Sequence, residues 1–131
     1  MSANRSRDWL AQAKNDLAWG EATTAAGFHA QACFIAQQVA EKSLKAIAYF
    51  RGAALVKGHS VLSVARELAV NGELKSAARR LDQYYIPTRY PDAQPDGAPF
   101  EFFSREQAEE ALKLAALFLR SAENETGEAE T

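Results

Sequence analysis

The chain has 131 residues, of which 47% are hydrophobic and 24% charged, a size and balance that suit one globular domain whose core needs neither disulfides nor metal. Its one cysteine, Cys33, rules out an internal disulfide, no apolar run approaches the roughly 20 residues of a membrane span, and the polar start from Met1 to Arg7 lacks a signal core, so a cytoplasmic protein is expected. The formal net charge of −2 conceals a weakly basic body: Glu123, Glu125, Glu128 and Glu130 crowd the last eleven residues, leaving 15 basic against 13 acidic residues elsewhere, too even a balance to announce a nucleic-acid binder by charge alone.

Helical spacing governs most of the chain. A first helix is expected from Arg5 to Thr24, with Trp9, Leu10, Ala13 and Leu17 as its buried stripe and Trp19 off that stripe, either on a second contact surface or on an exposed flank. Gly27 breaks the pattern. The stretch from Phe28 to Gly52 then reads as a long central helix without Gly or Pro in its interior, ending at a glycine suited to a C-cap. Ala32, Ile35, Ala36, Val39, Ala40, Ser43, Leu44 and Ile47 form its inward face, and the alanines admit a close neighbour. Gln37, Gln38, Glu41, Lys42 and Lys45 occupy the other side and read as a solvated face, with Glu41 four residues before Lys45.

After a connection from Gly52 to Gly58, His59-Ser60 precedes a third helix with Val61, Val64, Ala65 and Leu68 inward and a left-handed stop at Asn71-Gly72. Leu74, Ala77, Ala78, Leu81 and Tyr85 space a fourth helix. The segment from Tyr84 to Phe100 then holds all four prolines, at positions 87, 91, 95 and 99. Proline lacks an N–H and drives its predecessor towards extended backbone, so this segment is a stiffened loop that folds back on the bundle. Ser104 with Gln107 reads as a capping box opening a last helix with Ala108, Ala111, Leu112, Ala115, Phe118, Leu119 and Ala122 inward. The whole is an all-α, up-and-down bundle of four to five helices over residues 1–124, followed by an acidic, frayed tail over 125–131.

Several runs together resemble the HEPN domain family: Trp9-Leu10 with Asp16-Leu17, Ala32-Cys33-Phe34 leading into Gln37 through Lys45, Gly58-His59-Ser60, and Leu81 through Asp92. The resemblance covers the chain from Asp8 to about Arg120. It implies a small helical bundle, commonly a homodimer, often encoded beside a minimal nucleotidyltransferase. Family members that cleave RNA carry an arginine followed after four to six residues by a histidine, paired across the dimer. This chain departs from that spacing: Arg51 and His59 are separated by seven residues, and no histidine follows Arg89. The usual base for an attacking 2′-hydroxyl is thus missing from its place, and the tyrosine that partners modify in some toxin members cannot be assigned to Tyr84, Tyr85 or Tyr90.

Each candidate residue has a structural reading beside its chemical one. Arg89, between Tyr85 and Tyr90, is suited to fork onto a phosphate while the rings stack on a base; alternatively it pairs with Asp82 or Asp92 and pins the loop. His59 is an acid-base candidate or a structural histidine that caps the third helix or bonds a carbonyl. His29 reads as structural, and Cys33 as a buried, inert thiol rather than a nucleophile. Lys42, Lys45, Arg79 and Arg80 read as a solvated face or a basic patch. No phosphate loop, paired-cysteine zinc spacing, nucleophile elbow or His-Glu-x-x-His occurs, so no metal and no cofactor are expected. The candidate ligand set is therefore Arg89, Tyr85, Tyr90, His59, Asp82 and Lys42. Three functions fit it: a nucleotide- or RNA-binding homodimer working with a nucleotidyltransferase partner in a toxin-antitoxin-like pair, a metal-independent ribonuclease built on Arg89 and His59, or a non-catalytic interaction module.

Overall fold

The computed structural model describes residues 2–53, 56–70 and 72–128. It contains α1 (Ser2–Ala25), α2 (His29–Phe50), α3 (Val61–Glu67), α4 (Glu73–Asp82) and α5 (Arg105–Thr126), and no strand among the described residues. The long helices α1, α2 and α5 pack on one another, while α3 and α4 pair and lie against α2. The expected all-α bundle is thus the fold, with α2 at its centre.

Small side chains bring the long helices together. Ala32, Ala36 and Ala40 of α2 and Ala108, Ala111 and Ala115 of α5 are buried, with Ile35, Leu44, Ile47 and Phe118 filling the space between. At Gly20 of α1, a Cβ would come within 2.6 Å of Leu112 Cδ2 and 3.1 Å of Ile35 Cγ2. That glycine sets how closely α1 approaches its two neighbours. Leu10 and Ala13 are buried, Trp9 and Leu17 partly so, and Trp19 stands 57% exposed.

α2 departs from the expected two-faced helix. Gln37, Glu41 and Lys45 are buried at 0%, 3% and 5% exposure, because α3, α4, the residues before α3 and, at Lys45, Trp9 of α1 cover the side that reads as solvated. A charged face four residues apart looks the same in sequence whether water or protein meets it, and here polar partners inside the fold replace the water. Of the four basic residues read as a solvated face or a basic patch, Arg79 and Arg80 are exposed and Lys45 is buried; Lys42 pairs with Asp16, Lys45 with Glu41, and Arg80 with Glu110.

α3 also ends earlier than Asn71-Gly72. Ala69 takes the left-handed conformation (φ 58°), with its N–H bonded to the Arg66 carbonyl and that of Val70 to the Ala65 carbonyl. This closes the helix three residues before Gly72, which instead precedes α4. Asn71, residues 54–55 of the Gly52–Gly58 connection, and Glu130 of the acidic tail lie outside the described residues.

α4 stops at Asp82, so Tyr85 lies beyond the helix that its spacing predicts. Pro87 has no N–H to continue the ladder, and residues 83–89 run as successive turns with Tyr85 N–H on the Asp82 carbonyl and Arg89 N–H on the Ile86 carbonyl. Pro91 and Pro99 each open a short 3-10 turn. Pro99 is buried and Phe103 packs against the core, so the loop does fold back on the bundle. The capping box is present: Ser104 Oγ accepts from Gln107 N–H at 3.1 Å and Gln107 Oε1 from Ser104 N–H at 2.8 Å. α5 continues to Thr126, and Glu125 accepts two hydrogen bonds from Arg51, at 2.5 and 2.7 Å.

Candidate functional site

The turns after α4 carry Tyr85 and Arg89 to the same side of α2 that α3 approaches. The Arg89 guanidinium carbon lies 4.4 Å from the ring centre of Phe34, 4.5 Å from that of Tyr85 and 4.9 Å from that of Tyr90. Its Nε donates to the Tyr85 carbonyl at 2.9 Å. Among the described residues no carboxylate pairs with Arg89, so neither expected ion pair, to Asp82 or Asp92, forms. Three π faces hold the cation instead.

His59 reaches the same tyrosine from the segment before α3. Its ring stacks on Tyr85 with centres 5.4 Å apart and planes inclined by 15°. Nδ1 lies 3.1 Å from Glu41 Oε1, and the imidazole is 60% exposed. The second Glu41 oxygen accepts from Lys45 Nζ at 3.0 Å, and Lys45 sits 5.2 Å from the ring centre of Trp9. Gln37 donates to the His59 carbonyl at 2.6 Å, and Gln38 bridges the Gln37 and Glu41 side chains. His59 therefore has an acidic partner, which lies 18 residues away in sequence. The expected role of capping the third helix goes to other groups, and Nδ1 of His59 meets a carboxylate rather than a backbone carbonyl.

Those other groups are Ser60 and Asp82. Ser60 Oγ accepts from Ser63 N–H at 3.1 Å. Asp82, from α4, accepts from the N–H groups of Val61 and Leu62 at 2.8 and 2.9 Å and from Ser60 Oγ at 2.8 Å. A carboxylate at a helix N-terminus satisfies otherwise orphaned donors. Asp82 is thus engaged in holding α3 in place.

Of the six candidate ligand residues, the fold gathers Arg89, Tyr85, Tyr90 and His59, with Asp82 just behind His59. Lys42 points to α1, where it pairs with Asp16. Phe34, Glu41 and Gln37 belong to the site, and reading the sequence misses them as site residues. Their only sequence signal is their shared stripe on the central helix. A cavity of about 360 Å³ opens between His59 and Pro87, with Gln83, Tyr85 and Ile86 on its walls. A slightly larger groove of about 430 Å³ between α1 and α5, bordered by Leu17, Thr24, Arg105 and Leu112, holds none of the candidates.

The remaining groups with nucleophilic chemistry are shielded. Burial pushes the Cys33 thiol up to about 12, so little thiolate exists near neutral pH. Burial likewise raises the Tyr84 phenol, whose ring meets Phe103 edge-on at 5.9 Å. Among the described residues no three His, Cys, Asp or Glu side chains gather as a metal site, and no helix is long and apolar enough to cross a membrane.

The model of the HEPN domain matches residues 6–125. The chain belongs to the HEPN family. It is similar to TT1696 from Thermus thermophilus, at 44% identity and a TM-score of 0.88 over 93% of this chain and 98% of that one. It is similar also to ST0689, an archaeal HEPN homologue, at 32% identity and a TM-score of 0.80 over 92% of this chain and 97% of that one. No curated protein matches it. In this HEPN chain the arginine and histidine beside Tyr85 come from separate segments, Arg89 after α4 and His59 before α3, and both side chains contact the Tyr85 ring.

Proposed function

We propose that this HEPN protein is a homodimer that binds a nucleotide or an RNA end through Arg89, Tyr85, Tyr90 and His59, and works with a nucleotidyltransferase partner in a toxin-antitoxin-like pair. The observation that carries the binding reading is Arg89 itself. Its guanidinium is fixed among three aromatic rings and, among the described residues, matched by no carboxylate, so a phosphate oxygen is a fitting anionic acceptor for it. Tyr90, half exposed beside it, offers a face on which a base can stack. The dimer and the nucleotidyltransferase rest on the family resemblance, and exposed Trp19 offers apolar surface for one such contact. Titration of a labelled oligoribonucleotide into wild type and Arg89→Ala tests the binding reading. Binding by wild type that the variant loses while remaining folded supports it, and equal affinity overturns it.

A second reading, a metal-independent ribonuclease with His59 as base and Arg89 on the phosphate, is favoured by the carboxylate 3.1 Å from His59 Nδ1, the arrangement in which a third group orients a general base. Incubation of mixed RNA with the protein and a chelator decides it. Cleavage that both Arg89→Ala and His59→Ala abolish is the expected result, and intact RNA with wild type removes the reading.

A further inference from the structure

We infer that the groove between α1 and α5 is a second binding site, separate from the cluster on Tyr85, and that it takes the zwitterion of an apolar α-amino acid. None of the residues gathered on Tyr85 lines it.

The observation that points to a ligand is a hydroxyl. Leu17, Glu21, Thr24 and Ala25 recur at the three-and-four spacing of one helical stripe, and all four line this groove of about 430 Å³. Thr24 therefore faces the groove from α1, and at 7% exposure it belongs to the floor. Its Oγ1 is shut off from water and has no hydrogen-bond partner among the described residues. A helical threonine ordinarily donates to a carbonyl three or four residues earlier, as Thr126 does to Ala122 at 2.8 Å. Thr24 does not. An orphaned buried hydroxyl destabilises the fold, and an acceptor that fills the groove relieves it.

The charge of the rim decides what that acceptor belongs to. Residues 17–25 share this groove with 105–116, and residues 14–21 share the next one with 119–124, so α1 and α5 run antiparallel and Thr24 lies at the level where Arg105 opens α5. The side chains of Glu21, Arg105, Glu109 and Lys113 make no ion pair or hydrogen bond among the described residues. Two anions and two cations thus border a wall made by Leu112 and Ala116. A simple carboxylate would meet Glu21 and Glu109, and a simple amine would meet Arg105 and Lys113; a molecule carrying both signs is repelled by neither pair. In such a zwitterion the carboxylate accepts from Thr24 Oγ1 and Arg105, the ammonium turns to Glu21 and Glu109, and an apolar side chain covers Leu112 and Ala116. The volume is that of a small-molecule site.

The test is a titration of L-leucine into the nitrogen-15-labelled chain, followed by NMR. Saturable amide shifts are expected at Thr24, Ala25, Arg105 and Leu112, with Tyr85 and Arg89 unmoved. Isocaproate, which lacks the ammonium, and isoamylamine, which lacks the carboxylate, should each bind at least about fivefold more weakly. Thr24→Val keeps the shape and removes the hydroxyl. Its affinity for leucine should fall about three- to tenfold, the worth of one hydrogen bond, while the free variant melts no lower than wild type because no bond is lost. Absence of saturable shifts up to about 10 mM leucine, equal binding of leucine and its two analogues, or unchanged leucine affinity in Thr24→Val overturns the inference. So does a lower melting point, or failure to fold, of Thr24→Val, because either would show that the hydroxyl already has a partner.

Discussion

The side-chain amide of Gln37 donates to the main-chain carbonyl of His59 at 2.6 Å, tying the middle of α2 to the chain that enters α3. Gln37 is fully buried, and its amide also lies 3.3 Å from Asp82 Oδ1. One side chain thus joins α2, the start of α3 and the end of α4 behind the candidate site. Gln37→Leu keeps the volume and removes the donor, leaving the part-buried His59 carbonyl short of its partner. The expected cost is about 1–3 kcal/mol in urea unfolding, together with weaker nucleotide binding as His59 loosens.

Asp82 should matter for folding more than for ligand contact. It accepts two backbone N–H groups of α3 and the Ser60 hydroxyl. Asp82→Ala is expected to destabilise the protein by about 2 kcal/mol, with faster amide exchange concentrated at Val61 and Leu62. A stable variant that fails to bind nucleotide would show that Asp82 is a ligand group after all.

Ala69 sits at φ 58° on the surface after α3. A side chain there costs about 1–2 kcal/mol relative to the right-handed region, part of which glycine returns as greater freedom of the unfolded chain. Ala69→Gly should therefore raise stability by about 0.5–1 kcal/mol, seen as a higher denaturation midpoint with an unchanged slope. A lower midpoint would contradict the left-handed assignment.

Arg89→Lys preserves the charge and loses the plane. The guanidinium stacks against Phe34, Tyr85 and Tyr90, a fit an ammonium cannot reproduce. The substitution should weaken nucleotide binding about fivefold or more, and losing the Nε bond to the Tyr85 carbonyl should lower stability by about 1 kcal/mol. Retained affinity would mean that charge alone suffices.

Burial that holds the Cys33 thiol at about 12, against an ordinary 9.0, makes stability depend on alkaline pH. Below the ordinary value both states keep the proton and nothing is lost. Above it the unfolded chain releases its proton while the native thiol keeps it, so unfolding is favoured by up to about 1.4 kcal/mol for each pH unit until the native thiol ionises as well. The stability of wild type relative to Cys33→Ala should therefore fall between pH 9 and pH 11. Parallel profiles would show that the thiol is less enclosed than the structure has it.

Local chemistry by itself determined much of this protein. The buried stripe of α5 and its Ser104-Gln107 box are written in spacing alone, since both depend on groups within a few residues. Gly27 ends α1, and the prolines after Tyr85 exclude helix, because a backbone dihedral or a missing N–H acts on its immediate neighbours. The cluster of Tyr85, Arg89 and Tyr90 was also visible, as three residues of one short turn. The partners of Glu41 were not. Glu41 and Lys45 form the same four-residue pair on a wet helix and on a dry one, and only the packing of α3, α4 and Trp9 around α2 decides that they are buried. His59 acquires its carboxylate, Asp82 its helix and Arg89 its third ring, Phe34, across separations of 18 to 55 residues. Such contacts form when burial of the apolar stripes brings distant segments together. Helical periodicity specifies which face turns inward but not which polar group from elsewhere will meet it there.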